Sequence, residues 1–512
     1  MTPPLANDEQ RGFTPRFRTL LVLFAIETLA INVARLPESM RFDRFAFCDH
    51  GANFTLQYLI GGGLRPAIDF AYPYGLLPAL VGRIWFDVFG ATPWSYQFAM
   101  LLADLLCAWA MAKILSQLKI GAVGLALAFI TLGYAFQATY VNFAHAIEAV
   151  LLAHALAEQA RGSRANALAL TSAAVFAKPT MAYAYGLLLV VLIARDGLNF
   201  RRLVRQFAPA ATVVTCLSIL LALTYGPLTL ARTVLPIEGA ASYRALNFGL
   251  LGAARNLWDP KGQPWIFYLI DVSGFWIISG IFLFVVALFR LSNRSEKALT
   301  IRQSELIVTC AILHLVFVTL FFGNQWSWIY YSYVLLVGVV IAIDLQPYHR
   351  RFGVVFCAIA LLSLTDLAYW SHRWWRTTTP DNSTAGLWAP EDERSEWTRV
   401  LTTARDRKTV ILDSRGAAEL LFPGFENPVS LFLIDGLMRA DDIQRKLQEL
   451  SRAEIVVVPI TISACSGVPD APEFRDALKR FELAWSGKHF DVFKLRTTTR
   501  NNQIGRDVAG LQ

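Results

Sequence analysis

Two aspartates in a polar stretch near the start of the chain are the residues best suited to chemistry. Asp49 lies in the segment Cys48–Gly51 and Asp69 begins the segment Asp69–Gly75, both soon after the first long apolar segment. A carboxylate beside an apolar surface can have its pKa raised until it serves as a general base for a hydroxyl proton. Two carboxylates could instead hold a divalent cation that screens a phosphate leaving group. The alternative to a functional role is that both aspartates are solvated loop residues, with Asp69 capping a turn.

A second polar set lies inside an apolar segment further along the chain. Asn142, His145 and Glu148 recur every third residue, which places them on one face of a helix. Ionisable side chains in such a segment are expected to face a cavity or a partner. They could complete a cation site or orient a phosphate. Alternatively, the histidine and the glutamate satisfy each other inside a helical bundle.

Basic residues suggest where an anion would bind. Lys178 precedes Pro179, which breaks an apolar stretch and predicts a turn at the membrane edge. There an ammonium can meet a lipid phosphate or simply extend to the headgroups. Arg244, Arg255 and Lys261 belong to a stretch, 227–264, that we expect outside the cytosol. Basic residues outside oppose the positive-inside bias, so they indicate a lipid diphosphate ligand, with phospholipid headgroups as the alternative.

The composition is that of a membrane protein. Apolar residues make up 55% and charged residues 17% of the 512 residues, and the mean hydropathy is +0.42. The net charge of +8 does not indicate nucleic acid, because many arginines occupy short connectors, as cytosolic loops do. Of the six cysteines, only Cys48 and Cys465 fall on the expected exterior, where a disulfide could form.

The apolar segments predict a polytopic α-helical membrane bundle of about 11 to 13 spans. If the N-terminus is inside and Asp49 is outside, the stretch 74–95 must cross the membrane an even number of times. Either 74–90 is re-entrant or a neighbouring assignment is wrong. The predicted spans are 18–37, 74–90, 95–115, 120–139, 142–158, 165–178, 180–195, 208–226, 265–289, 304–322, 328–344 and 353–371.

The character of the chain changes after the last span. We predict a membrane domain over 1–371, with a first exterior loop at 38–74 and a second at 227–264, and an extracytoplasmic domain over 372–512. In the latter, 409–412 and 454–458 read as buried strands, and 440–452 and 473–481 as helices. This pattern is typical of a small α/β domain with an accessory role, as a lid or a specificity domain.

The order of these motifs resembles the GT-C superfamily of integral membrane glycosyltransferases. An acid-x-glycine loop at Asp49–Gly51 is followed by glycines at Gly61–Gly63, by the segment Asp69–Gly75 and, later, by the turn Lys178–Thr180. A soluble exterior C-terminal domain is also similar to that family. The resemblance covers the membrane portion as architecture, and the motifs themselves occupy only a short part of it.

The resemblance implies transfer of a hexosyl or pentosyl group, with inversion, from a polyprenyl-phosphate sugar to a glycan or lipid acceptor. The reaction would take place on the outer face of a bacterial cytoplasmic membrane, in glycan biosynthesis for the cell envelope. Asp49 would match the family's first-loop acid and act as the base, with Asp69 assisting. Lys178, Arg244, Arg255 and Lys261 would bind the donor phosphate. We assign substrate binding to His50, Tyr74, Asn142, His145 and Glu148.

Two departures from the family pattern leave the metal and the base open. His50 follows Asp49 where many relatives carry a second acid, and Asn142 and His145 stand where relatives often have an acid. A divalent cation is therefore one option among others. A transporter or flippase of lipid-linked saccharides would use the same acids and basic loop without making a bond, and inverted repeats would favour it. A sensory or scaffold protein would instead depend on the region beyond 372.

Overall fold

The computed structural model describes residues 15–135, 142–195, 199–235, 279–288, 298–321, 332–345, 349–413, 416–422, 425, 439–460 and 471–496. The described chain is mostly helical and ends in a small sheet region. Arg244, Arg255, Lys261 and Cys465 lie outside the described residues. The helices that precede the sheet are α1 (Pro15–Ala34), α2 (Leu36–Ser39), α3 (Phe42–Phe47), α4 (Asp49–Gly61), α5 (Leu76–Phe89), α6 (Pro93–Gln117), α7 (Ala122–Ala135), α8 (Phe143–Arg161), α9 (Arg164–Val175), α10 (Met181–Arg195), α11 (Phe200–Tyr225), α12 (Pro227–Val234), α13 (Ser279–Leu288), α14 (Ala298–Phe321), α15 (Ser332–Leu345) and α16 (His349–Thr377).

Three of the described helices, α1, α6 and α11, are long and apolar enough to cross a membrane. Shorter apolar helices accompany them: α10, α13 and most of α7 and α15. A helix satisfies its own backbone hydrogen bonds, so such segments can lie in an apolar medium. Large apolar side chains point outward from α1 and α11, among them Val22, Ile26 and Leu223, the last of which is 82% exposed. The outer surface of the bundle is therefore apolar.

Polar contacts between helices fix which helix ends lie together. Arg16 at the start of α1 donates to the carbonyl of Ile120 beyond the end of α6. Nearer the other end, Asn32 Nδ2 donates to Asp104 Oδ2 at 3.1 Å, so α1 and α6 run antiparallel. In α14, Gln303 donates to Leu118 O at 3.3 Å and Glu305 binds Arg164 of α9. We name this end, with Arg16, Arg164 and Glu305, the arginine end, and the opposite end, with Asp49 and Lys178, the acid end.

The predicted span 74–90 does not run between the two ends. Helix α5 has 14 residues, and at 1.5 Å per residue it is about 21 Å long, which is shorter than a bilayer core of about 30 Å. It begins where Leu77 N donates to Phe176 O and finishes where Trp85 Nε1 donates to Ser95 O, at 2.9 and 2.8 Å. Both contacts lie at the acid end, so α5 does not connect the two ends of the bundle as the predicted span would. Its apolar content alone suggested a span.

The chain after α16 forms the sheet region. A short antiparallel pair, β1 (Thr378–Pro380) and β2 (Trp388–Pro390), precedes a four-stranded sheet. In that sheet β3 is parallel to β4, and β6 joins β4 and β5 in antiparallel pairing. All five residues of β4 are buried, because apolar side chains cover both of its faces. The remaining elements are β3 (Thr409–Ile411), β4 (Ile455–Pro459), β5 (Phe481–Ser486), β6 (Phe490–Leu495), α17 (Glu391–Ala404), α18 (Ala418–Leu421), α19 (Ala440–Arg452) and α20 (Pro472–Leu478).

The sheet region shares a core with the predicted first exterior loop, residues 38–74. The rings of Phe42 and Phe47 lie 5.2 and 5.6 Å from Trp397 of α17, and Phe47 also contacts Phe490 of β6. Aromatic side chains bury large apolar areas, so this shared cluster contributes strongly to the attachment of the two parts. The C-terminal sheet region is therefore packed against the segment that directly precedes Asp49.

Arginines that are distant in sequence hold the second half of that loop. Arg439 donates to the carbonyls of Ile68 and Ala67, each at 2.8 Å, and Arg445 of α19 donates to the carbonyl of Asp69. Arg232 of α12 donates to Ala67 O at 3.0 Å. Helix α12 lies in the predicted second exterior loop, and the described part of that loop thus contacts the first loop at the acid end.

Candidate functional site

Asp49 lines a small cavity at the acid end of the bundle. Its volume is about 20 Å³, enough for one water molecule or one hydroxyl group. Helices α4 and α8 and the segment before α5 form its walls. The polar residues that line it are Asp49, Asn53, Tyr72, Tyr74 and Asn142.

Helix α4 places Asp49 at its first position, directly after Cys48. Cys48 is disulfide-bonded, and the four other described cysteines are free thiols. Gly51 lies against the backbone of the first loop and of the sheet region, where a methyl group would overlap the carbonyl oxygen of Phe45 and come within 2.6 Å of Ala417 N. Only glycine fits this close approach, so the start of α4 has little freedom to move.

Asn53 connects Asp49 to helix α8. Its Nδ2 donates to the carbonyl of Asp49 at 3.0 Å, and its Oδ1 accepts from the backbone N–H of Phe143 at 3.3 Å. Asn53 and Tyr72 line the cavity, although neither was predicted from the sequence as a site residue. The spacing of four residues between Asp49 and Asn53 was a usable signal, because residues i and i+4 share one helical face.

Asn142 organises the opposite wall of the cavity. It is the N-cap of α8, where its Oδ1 accepts from the backbone N–H of His145 at 3.0 Å. Its Nδ2 donates to the hydroxyl of Tyr74 at 3.1 Å, and the ring of Tyr74 lies edge-on to His145 at 5.9 Å. The structure thus brings together three residues that the sequence assigned to substrate binding.

Lys178 lies behind this wall and is only 1% exposed. Its Nζ is 3.2 Å from Nδ1 of His145 and 4.0 Å from Oε2 of Glu148. The sequence placed Lys178 at the headgroups. The start of α5 covers it, since Gly75 N donates to Ala177 O at 3.0 Å. A buried ammonium needs a counter-charge and acceptors, which Glu148 and His145 supply.

Asp69 is not among the residues that line the Asp49 cavity. Arg65 holds its carboxylate through Nε–Oδ2 and Nη2–Oδ1 contacts of 2.9 and 3.1 Å. The hydrogen bond from the Arg65 guanidinium holds the pKa of Asp69 below its usual value. A carboxylate with a lowered pKa is a weaker general base. The two aspartates that the sequence paired are therefore in different environments.

His50, which the sequence assigned to substrate binding, has other surroundings than expected. His50 is 2% exposed and packs its ring against Phe45 and Tyr96, with centroids 5.0 and 5.3 Å away. Within the described ranges, no group of three or more His, Cys, Asp or Glu residues could hold a metal ion. His50 thus serves the aromatic packing beneath Asp49 and does not line the cavity.

An apolar cavity of about 690 Å³ opens close to the polar one, between α9, α10, α11 and α12. Phe176, Tyr183, Leu187 and Val190 are among its lining residues. Phe176 is two residues from Lys178, and its carbonyl accepts from Leu77 N of α5. An apolar space that ends beside a polar cavity suits a ligand with a long hydrocarbon part and a polar head.

The arrangement offers a carboxylate beside a hydroxyl-sized space, a polar wall of Tyr74 and Asn142, and an apolar cavity alongside. No protein-family model matches this sequence, and no curated protein matches it.

Proposed function

We propose that the chain is a polytopic membrane glycosyltransferase similar to the GT-C superfamily, which takes a sugar from a polyprenyl phosphate. The observation that carries the proposal is a contact at the acid end: the carbonyl of Phe176, which lines the apolar cavity, accepts from the backbone N–H of Leu77, and the next residue, Pro78, lines the Asp49 cavity. A polyprenyl donor needs an apolar space for its tail and a polar site at headgroup level for its sugar. The acceptor would be a glycan or a lipid.

Charge and redox chemistry support a proposed orientation in the membrane. Disulfides persist on the oxidising side of a membrane, and Cys48 precedes Asp49 directly. Arginine-rich connectors favour the cytosol, and Arg161, Arg164 and Arg195 all meet at the other end of the bundle. The acid end would then face outward, with the sheet region outside the cell and the apolar helices in the bacterial cytoplasmic membrane.

In the proposed reaction, Asp49 removes the proton from the acceptor hydroxyl. The hydroxyl oxygen forms a bond with the anomeric carbon while the bond from that carbon to the phosphate oxygen breaks. The polyprenyl phosphate leaves with the electron pair, and the proton remains on Asp49. The cavity of about 20 Å³ suits a single hydroxyl, so the body of the acceptor would stay outside it.

Lys178 acts in this proposal as a positioning residue. Its burial separates it from a donor phosphate, whereas its contact with His145 holds the wall that carries Asn142 and Tyr74. The donor phosphate would be neutralised by other cations at the acid end. Arg244, Arg255 and Lys261 keep that role as predictions.

Replacing Asp49 with asparagine is expected to lower the transfer rate by about 10²- to 10⁴-fold, the usual contribution of a general base. The measurement is transfer from labelled polyprenyl-phosphate sugars, tested as a panel, by the full chain in membranes. Asp69→Asn and Asp87→Asn are the matched controls, because each removes a carboxylate that an arginine binds away from the cavity. Full activity in Asp49→Asn would disprove the assigned base.

The flippase alternative draws on the same apolar cavity. It predicts that the wild-type protein moves a lipid-linked saccharide between leaflets without consuming it. Reconstitution in vesicles with a fluorescent polyprenyl-phosphate sugar separates the two functions, because transfer yields free polyprenyl phosphate and a glycosylated acceptor. Movement without those products would favour the flippase.

A further inference from the structure

A buried carboxylate lies where the C-terminal sheet region meets helix α3. Glu393, in the first turn of α17, is 6% exposed, and its Oε1 accepts no hydrogen bond within the part of the chain that the structure describes. Trp397, one helical turn further on, contacts Phe42 of α3 with ring centroids 5.2 Å apart. Because residues i and i+4 share one face of a helix, Glu393 faces α3 as well. The proposed transfer reaction makes no use of it.

The α3 side of this junction carries a second carboxylate. Asp43 follows Phe42 in the chain and is 3% exposed. Arg41 binds both of its oxygens, with Nε–Oδ1 and Nη2–Oδ2 distances of 2.8 and 2.5 Å. A guanidinium bound to a carboxylate in this bidentate way is committed to it, so the nearest counter-charge already belongs to Asp43. Burying Glu393 beside this pair as an anion would cost far more than burying it as the neutral acid.

The other charged groups on the elements around the start of α17 are paired with one another. The pairs are Asp392 with Lys488 and with His489 of the turn between β5 and β6, Arg394 with Asp381, and Arg44 with Glu38, at 2.6, 3.1, 3.4 and 3.7 Å. Glu396 accepts the backbone N–H groups of the same turn. Lys488 is the nearest of the cations in this turn to Glu393 in charge, but its side chain is 69% exposed, so water and salt screen the attraction.

These surroundings favour the neutral form of Glu393. Burial, and after it the negative charge of Asp43, raise the pKa of Glu393 from 4.5 to about 9. When α17 separates from α3, the carboxyl group regains water and ionises at neutral pH. Attachment therefore takes up one proton from the solvent between these two pH values, and separation releases it. By linkage, attachment is strongest below the lower value and weakens by up to about tenfold per pH unit until the upper value is reached.

We propose that the contact between α3 and α17 is a proton-dependent clasp, which holds the sheet region tightly in acidic surroundings and loosens in alkaline ones. The titrating group is Glu393, and the bound pair of Arg41 and Asp43 is what keeps it neutral while the clasp is closed. Helix α3 ends two residues before Asp49, so an open clasp would also free the segment that positions the proposed base. This last consequence rests on the proposed function, whereas the proton dependence of the clasp does not.

The test measures hydrogen–deuterium exchange of α3 and α17 in the full chain in nanodiscs, from about pH 5 to about pH 9. Labelling times are corrected for the intrinsic exchange rate at each pH, so that protection reports the opening of the clasp. Glu393→Gln keeps the shape of the neutral acid and removes its titration. Glu391→Gln is the matched control, since it removes a glutamate from an exposed position of the same helix turn. Asp392 and His489 remain in every variant, so a difference between variants isolates Glu393.

In the wild-type protein and the control we expect the opening equilibrium of α3 and α17 to rise at least about tenfold between about pH 6 and pH 9. Glu393→Gln should remove most of that rise. Asp43→Asn is a second variant, which frees Arg41 to pair with Glu393, and it should move the rise to lower pH. A wild-type protein without the rise, or an unchanged rise in Glu393→Gln or in Asp43→Asn, would overturn the proposal.

Discussion

Replacing Gly51 with alanine is expected to loosen the sheet region from α3 and α4 and to abolish the proposed transfer activity. The added methyl group would overlap Phe45 O and press on Ala417 N, both of which are backbone atoms that cannot rotate away. The close contact between α4 and the sheet region also allows the hydroxyl of Thr55 to donate a hydrogen bond to Gly416 O. Forced overpacking costs about 1–3 kcal/mol at sites that can relax, and we expect at least the upper value here.

The control for this prediction lies on the same helix. Gly61, the last residue of α4, has no described atom within 4 Å of a β-carbon position. Gly61→Ala should therefore leave stability unchanged or raise it by up to about 1 kcal/mol through lower chain entropy. Thermal unfolding and limited proteolysis of the full chain measure both effects. Equal proteolytic resistance of the sheet region in the two variants would refute the packing argument.

Replacing Lys178 with alanine is expected to destabilise the bundle by about 3–5 kcal/mol, the cost of leaving a buried charge without its partner. The charge left behind is that of Glu148, 4.0 Å from the ammonium and buried like it. His145 would also lose a contact of 3.2 Å. The unfolding temperature should fall, and transfer should fall with it because Asn142 caps the same helix turn.

A double variant separates structure from chemistry. Lys178→Met with Glu148→Gln removes both charges, and replacing both partners by neutral groups is often tolerated. We expect it to recover most of the stability that Lys178→Ala loses. If Lys178 only positions the wall, the double variant should also recover part of the activity. Recovered stability with no activity would show that the ammonium or the carboxylate of Glu148 itself takes part in the reaction.

Short-range features were the most predictable from sequence. The strands expected at 409–412 and 454–458 match β3 and β4 to within one residue at each end, and the helix expected at 440–452 has the bounds of α19. In these segments the spacing of apolar residues determines which face is buried. The break at Pro179 was equally predictable, because proline cannot continue a helix without losing a hydrogen bond.

Long-range features were not predictable in the same way. Nothing near Lys178 in the sequence indicates that its side chain is buried. The burial depends on the start of α5, which lies about a hundred residues earlier in the chain and covers the turn. Hydropathy could not separate α5 from a span, because it measures apolar content and not where the two ends of a helix lie. The pairing of Asp49 with Asp69 failed for a local reason, since Arg65 lies four residues before Asp69 and binds it.

The carbonyls of Ala67, Ile68 and Asp69 are held by arginines 371 to 376 residues further along the chain. A ribosome adds about 5–20 residues per second, so the loop waits on the order of 20–70 s for these partners during synthesis. Throughout that interval the emerging protein contains Ala67, Ile68 and Asp69 but lacks Arg439 and Arg445, which hold their carbonyls. If the proposed function is right, nascent chains would thus remain inactive until translation is nearly complete.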